Sequence, residues 1–223
     1  MATTLTKDDF YQAMCDVRKA HRLIYAYQSK MLGLTDFIKS KFDFPIYRGY
    51  PLFGEPFLKK RNYYGFTICD AWGFLYSYVF EYHFGEKKYP KICAIKLSVI
   101  QVSDTGYFDA EISDEEDLTT FASEKTSLSK FIFVIEKKNI RKNYSWVNED
   151  WIIKKIYHDP AIMSKNHTHT CLNDKENVQI IYSLPLDRFI NEKTTIEALE
   201  EFVKFCNENG IQELEFSETL CNS

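Results

Sequence analysis

Every even position from Trp72 to Phe84 is aromatic: Trp72, Phe74, Tyr76, Tyr78, Phe80, Tyr82 and Phe84. Side chains on an extended strand alternate between its two faces, so this run would set seven rings on one face. The odd positions, Gly73, Leu75, Ser77, Val79, Glu81 and His83, make a mixed face. A helical reading of 72–84 competes, but Gly73 and the Tyr, Phe and Val content favour a strand. The pattern implies an α+β chain with a half-buried, mainly antiparallel twisted sheet.

The elements on either side fit that class. Phe10, Met14, Val17, His21, Ile24, Gln28, Met31, Thr35 and Ile38 repeat at alternating steps of four and three, which marks a long N-terminal helix. Thr6 with Asp8 and Asp9 suits its start. Gly33 is a natural stop, followed by a short helix over 36–41 capped by Thr35. His21 and Gln28 read as hydrogen-bonded boundary groups, or as register-setting groups if the stripe packs on another chain.

Residues 42–65 hold three Pro and three Gly among many rings and read as an aromatic loop strapped over the core. Strands follow at about 64–84, with a bend near Asp70 and Gly73, then at 92–102 and 131–136, with GEKKYP as the first connection. Ser103 to Phe108 reads as a turn. Ser113 and Glu116 have capping-box spacing for a short helix, and a second helix is expected over 149–158 with Asn148 as its cap. Residues 160–176 read as a polar loop, and Val178 to Leu184 as a strand. A last helix carries a Thr194/Glu197 capping box and an Ile196, Leu199, Val203, Cys206 stripe, and stops at Asn209-Gly210. A short strand over 213–216 closes the pattern. This gives four to five strands with the long N-terminal helix and the C-terminal helix packed on them. One domain is expected over 1–223: a helical part to residue 41, the loop, and a sheet region over 66–216 with two further helices.

Charge narrows the functional classes. The chain carries 28 Lys and Arg against 32 Asp and Glu, a net charge of −4, which disfavours a duplex nucleic-acid partner. Eight acidic residues and no Lys or Arg lie between Leu97 and Glu124, while cations gather at 59–61, 87–91 and 137–142. No run of eighteen apolar residues suggests a membrane span, and no leader pattern is visible. The six Cys have no CxxC spacing, and Cys15, Cys69, Cys93 and Cys206 fall in apolar patterns where free Cys packs as a small hydrophobe. A reducing cytoplasm fits these features.

Neither GxSxG, GxxxxGK[ST] nor GxGxxG occurs, so no catalytic residue, cofactor or metal is assigned. The order helix, three strands, helix, strand is similar to the core of the PD-(D/E)xK nucleases, and Glu136-Lys137-Lys138 spells ExK, with Lys154 and Lys155 on the following helix. Such an enzyme needs a cluster of carboxylates for a divalent ion. The strand neighbouring that ExK begins Tyr89-Pro90-Lys91-Ile92 and offers no Asp. Asp104 and Asp109 fall at the opposite end, which leaves Glu81 or Glu86 as recruits. His167, His169 and Cys171 alternate as zinc ligands could, with His158 and Asp159 as the nearest further donors; a surface loop with two titrating histidines is the plainer account.

The remaining signal is aromatic. Tyr47-Arg48-Gly49-Tyr50 places two rings around a guanidinium, the residue types enriched at interface hot spots and able to stack on bases. The same residues could close a cation–π clasp inside the fold. The leading reading is a non-catalytic protein-interaction or regulatory module, with the texture of a small bacterial or phage accessory protein. It would bind a protein partner or a second copy of itself through Tyr47, Arg48, Tyr50 and Trp72, with the acidic 104–117 segment steering a basic partner. A metal-dependent nuclease or phosphodiesterase using Glu136 and Lys138, and a planar-ligand binder, are the alternatives.

Overall fold

The computed structural model describes residues 6–53, 78–89, 93–114, 117–139, 156–173 and 177–216. It is α+β, built on one six-stranded sheet of antiparallel neighbours. The chain divides into two units, Met1–Ile38 and Lys39–Ser223.

The first unit is helical. Helix α1 runs unbroken over Lys7–Phe42, into the first residues of the second unit. Thr6 opens it reciprocally with Asp9: Thr6 Oγ1 accepts from the Asp9 amide at 3.1 Å, and the Thr6 amide donates to the Asp9 carboxylate at 3.1 Å. These bonds occupy donors that a helix start leaves without intrahelical partners. Gly33 does not stop the helix. It lies within α1 with nothing within 4 Å of where a Cβ would stand, so its helical bonds outweigh its weak propensity of about 1 kcal/mol.

In the second unit the strands are β1 (Arg48–Pro51), β2 (Val79–Tyr89), β3 (Cys93–Val102), β4 (Lys130–Asn139), β5 (His169–Asn173) and β6 (Asn177–Pro185). Their spatial order is β1-β2-β3-β4-β6-β5. The strand count exceeds the four to five read from sequence because β1 lies inside the expected aromatic loop and β5 inside the expected polar loop. Both are edge strands, and edge pairing tolerates the Pro and polar residues that disguised them. The short strand expected at 213–216 does not form.

Alternation holds over Val79 to Phe84. Phe80 and Tyr82 point to one face with Phe84, and Val79, Glu81 and His83 to the other. Tyr78 leaves the row and packs against Phe53 at 4.6 Å, on the opposite face. Trp72, Phe74 and Tyr76 lie outside the described residues. β2 does not end at Phe84. It continues to Tyr89 because a bulge between His83 and Gly85 absorbs the extra residue, and Gly85 takes the positive φ of +92° that such a kink needs. The GEKKYP stretch is therefore mostly strand.

Two cores flank the sheet. On one face Val79, Ile100, Val102, Ile132, Val134 and Ile181 pack with Phe53, Phe108, Ile156 and Met163. Phe108 comes from a one-turn helix α2 (Gly106–Asp109), where a plain turn was expected. Met163 comes from another, α3 (Pro160–Met163), which Asp159 caps and Pro160 opens. Lys130 ties this corner down: its buried ammonium donates to the Ile162 carbonyl at 2.9 Å and to the Ser164 carbonyl, and burial pulls its pKa down to about 8. Of the helix expected over 149–158, residues 149–155 and its cap Asn148 lie outside the described residues, as does Glu116 of the Ser113/Glu116 pair.

The other face is aromatic and carries the C-terminal helix α4 (Glu192–Glu208). Phe202 meets Phe133 at 4.8 Å, Tyr182 at 5.7 Å and Phe42 at 6.3 Å. The cap of α4 is Asn191, which accepts from the Thr194 amide, so the helix begins before the Thr194/Glu197 pair assigned from sequence. Its buried side is Thr195, Ala198, Leu199, Phe202 and Cys206; Ile196 and Val203 stand at the margin. The end matches the sequence signal, with Asn209 as cap and Gly210 at φ +96°.

Candidate functional site

The stripe of α1 keeps a strict heptad register. Phe10, Val17, Ile24, Met31 and Ile38 occupy one core position, and Met14, His21, Gln28 and Thr35 the other. Burial along it is graded. Gln28, Met31, Thr35 and Ile38 are buried, whereas Phe10 is 55% and Val17 46% exposed. Beside the exposed part stand Tyr11, Leu23 and Tyr25, with Tyr25 77% exposed. Arg18 covers Tyr11 at 6.0 Å, and Lys19 pairs with Asp16 at 2.9 Å. The hydrogen bond from Lys19 holds the Asp16 carboxyl below its ordinary range. Most helical stability in proteins comes from packing of an apolar face, and large apolar side chains held at a 3.5-residue period are the pattern of a seam for another helix.

Of the aromatic residues named from sequence, Tyr47 stacks on rings outside that set. Tyr47 is 38% exposed and lies nearly parallel to Tyr82, 11° apart at 6.1 Å, and to Phe84, 29° apart at 6.1 Å. Arg48 is exposed on the edge strand β1, and Tyr50 pairs along its backbone with Glu81. Trp72 lies outside the described residues. Sequence reasoning passed over the residue between them: a Cβ on Gly49 would stand 2.4 Å from the Phe80 ring and 2.9 Å from the Glu81 carbonyl, so only glycine lets β1 approach. Beneath, the Tyr82 hydroxyl donates to Gln101 at 2.8 Å, giving the buried ring its polar partner.

A second group of chemistry-bearing residues occupies the end of the sheet's other face. Register aligns Glu86, Lys96, Glu136 and Gln179 in one row, and Lys88, Ala94, Lys138 and Asn177 in the next. Glu136 and Lys138 therefore share a face, with Glu86 in the same row as Glu136, but Lys96 stands between the two carboxylates. Opposite charges in direct cross-strand register are a stabilising ladder, and an ammonium between carboxylates fills the place a divalent ion would take. Burial raises the Glu136 pKa against the opposing pull of Gln179, which donates at 2.6 Å, and of Lys96 and Lys138; burial also lowers Lys138. Asp109, at the far end, accepts from Thr105 Oγ1 and from the Lys165 amide at 2.9 Å. Among the described residues no group of three His, Cys, Asp or Glu could hold a metal ion. Lys96, the one charged letter in the largely apolar β3, was the sequence sign of this row.

The His167, His169, Cys171 set does not converge. His167 spends both ring nitrogens on hydroxyls, Nδ1 with Ser183 at 2.8 Å and Nε2 with Thr170 at 3.0 Å. His169 packs its ring on Phe205 at 4.6 Å. The His158 ring lies tilted against Tyr157 at 5.0 Å, and Asp159 is engaged as the α3 cap. The two histidines are thus not equivalent loop groups. Burial, helped by the Lys130 charge, lowers the His167 pKa from its ordinary 6.5 to about 4. Between those values the unfolded chain binds a proton that the folded chain refuses, so stability is intact above 6.5 and falls as pH drops towards 4. The His167→Asn variant should therefore lose fewer degrees of Tm between pH 7 and 5 than the parent, by several degrees in a buffer-matched scan; parallel slopes would refute this role.

Comparison with known proteins places the whole. The family model described as PM0109 matches residues 7–214, so the chain belongs to the PM0109 family. No curated protein and no solved structure matches the chain.

Proposed function

We propose that this member of the PM0109 family is a non-catalytic protein-interaction module whose principal contact is the heptad stripe of α1. The observation that carries this reading is the grading of one unbroken register from a buried end to an exposed one. Phe10, Met14, Val17, His21 and Ile24 continue the pattern of Met31, Thr35 and Ile38, yet Phe10 and Val17 stand in solvent. Covering several such side chains is worth about 1.5–3 kcal/mol each, enough to drive association of a preformed helix.

Tyr47, Arg48, Tyr50 and Trp72 are proposed as a second contact, supported by the half-exposed Tyr47 ring just before the edge strand. The acidic 104–117 segment would steer a basic partner. With Lys96 between Glu86 and Glu136, the phosphodiesterase alternative gains no support from the sheet face.

The test is Val17→Glu with Ile24→Glu, which puts two carboxylates into the seam. The double variant should lose its partner in pull-downs from the native cell, by at least tenfold in recovered partner, while its Tm changes by only a few degrees because the exposed stripe adds little to the folded chain. Full recovery of the partner by this variant, with loss of it in Tyr47→Ala, would move the contact to the second surface.

A further inference from the structure

The sheet ends in two edges, β1 and β5, and the chain guards them unequally. Along an edge strand the backbone N–H and C=O groups alternate, one residue bonding inward and the next pointing out. Beside β1 the Leu52 amide donates to the Val79 carbonyl at 2.9 Å, so Arg48 and Tyr50 bond β2 and Pro51 stands at an outward position. Proline has no N–H to offer there, and the exposed Arg48 adds a charge. Both are devices that keep an edge from accepting another strand.

Strand β5 has neither device. Its residues 169–173, HTCLN, hold no Pro, Lys, Arg, Asp or Glu, and its register with β6 runs without a bulge. The Ser183 amide donates to the Thr168 carbonyl at 2.7 Å, which fixes the alternation. Thr170 and Leu172 bond β6, and the backbone groups of His169, Cys171 and Asn173 point away from the sheet. The far side of β6 agrees: the Leu186 amide donates to the Ser129 carbonyl at 2.9 Å, which gives the even residues of β6 to β4 and the odd ones to β5. Among the described residues no hydrogen-bond partner meets the outward groups of His169 and Cys171. His169 and Asn173 are exposed, and Leu172 is 55% exposed.

An outward row of backbone donors and acceptors is a template for one more strand. A strand of another protein would draw its specificity from pockets for alternate side chains beside the edge. An identical strand needs none, because β5 complements itself. Turned antiparallel about Cys171, it sets outward groups against outward groups along its whole length. Cys171 exchanges backbone bonds with Cys171 of the copy, and His169 meets Asn173. On the other face Thr170 lies opposite Leu172, and no charge faces its like. The copy also brings the same right-handed twist as the edge it joins. We infer that β5 pairs antiparallel with β5 of a second copy of this chain, about a two-fold axis at Cys171, joining two six-stranded sheets into one. The surface is separate from the α1 stripe, and the inference does not depend on it. One strand is a contact at the small end of interface sizes, so the dimer is weak and set by concentration.

Sedimentation equilibrium of the full-length protein from about 20 µM to about 1 mM should show the mean mass rising from 26.3 kDa towards twice that value. Over the same range, amide exchange followed residue by residue should slow at His169 and Cys171, while Thr170, already bonded to β6, changes little. Leu172→Lys should keep the far-ultraviolet circular dichroism and weaken the association at least tenfold, because a charge on an exposed edge blocks pairing. Cys171→Pro removes the outward N–H that β6 does not use, and should abolish the rise in mass as well. Cross-linking in a Cys171→Ser background reads the register. A mixture of T170C and L172C chains treated with diamide should yield a 170–172 disulfide, identified by peptide mass spectrometry, and neither chain should do so alone. A parent that stays monomeric to about 1 mM overturns the inference, and if L172K then loses a cellular partner, the edge belongs to a foreign strand. A dimer undiminished in L172K overturns it too, and one lost only in V17E/I24E belongs to the α1 stripe. A T170C chain that cross-links to itself overturns the axis at Cys171.

Discussion

Phe202→Ala is expected to destabilise the protein by about 3–5 kcal/mol, the range for emptying a fully buried aromatic site. Phe202 is completely buried, and its ring is held by Phe133 on β4, Tyr182 on β6 and Phe42 at the end of α1. These neighbours come from separate elements with their own backbone bonds, so the wall cannot collapse into the space without pulling α4 from the sheet. The removed side chain takes its transfer free energy with it and leaves a cavity besides. Equilibrium unfolding in urea should show the loss as a lower midpoint at unchanged slope. Phe202→Leu, which refills most of the volume, should recover more than half of it. A loss below about 1 kcal/mol for Phe202→Ala would mean that α4 does not depend on this contact.

Gly85→Ala is the second large effect, at about 2–4 kcal/mol, and it has two sources. A side chain at φ +92° is strained whatever space surrounds it. The new Cβ would also stand 3.0 Å from three atoms of Ile46, whose amide donates to the Phe84 carbonyl at 3.0 Å and so fixes the approach of the chain to β1. Relief requires the bulge to move. The bulge sets the register of everything beyond it on β2, including the alignment of Glu86 with Lys96. Hydrogen exchange should therefore show protection lost at Glu86 to Tyr89 ahead of the β3–β4 pair. Pairing Gly85→Ala with Ile46→Gly, measured against Ile46→Gly alone, separates the sources, since that background removes all three clashing atoms and keeps the strain. Full recovery in the double variant would eliminate the backbone contribution.

The long N-terminal helix was legible from residues alone. The steps of four and three from Phe10 to Ile38 are a property of spacing, and one continuous helix displays them as written. Gly33 misled because its cost of about 1 kcal/mol is small against the helical bonds on either side of it. The aromatic row misled at one described position: Tyr78 precedes the strand and turns to the opposite core. Edge strands β1 and β5 were missed because a strand paired on one side needs neither alternation nor freedom from Pro. The Glu136-Lys138 pair could be seen in the sequence, but Lys96 could not be placed between Glu86 and Glu136 without the register. That register depends on a one-residue bulge, invisible as a pattern, and a slip of one residue would send every side chain to the other face.

Local spacing by itself determined that the chain makes a long heptad helix, aromatic strands and a C-terminal helix ended by Asn209-Gly210, because backbone period and capping act over a few residues. Tertiary structure alone decided which rings share a face, that His167 is locked between two hydroxyls, and that the ExK carboxylate looks onto an ammonium. Those outcomes turn on strand order and register, which are set by burial summed over residues far apart in the chain.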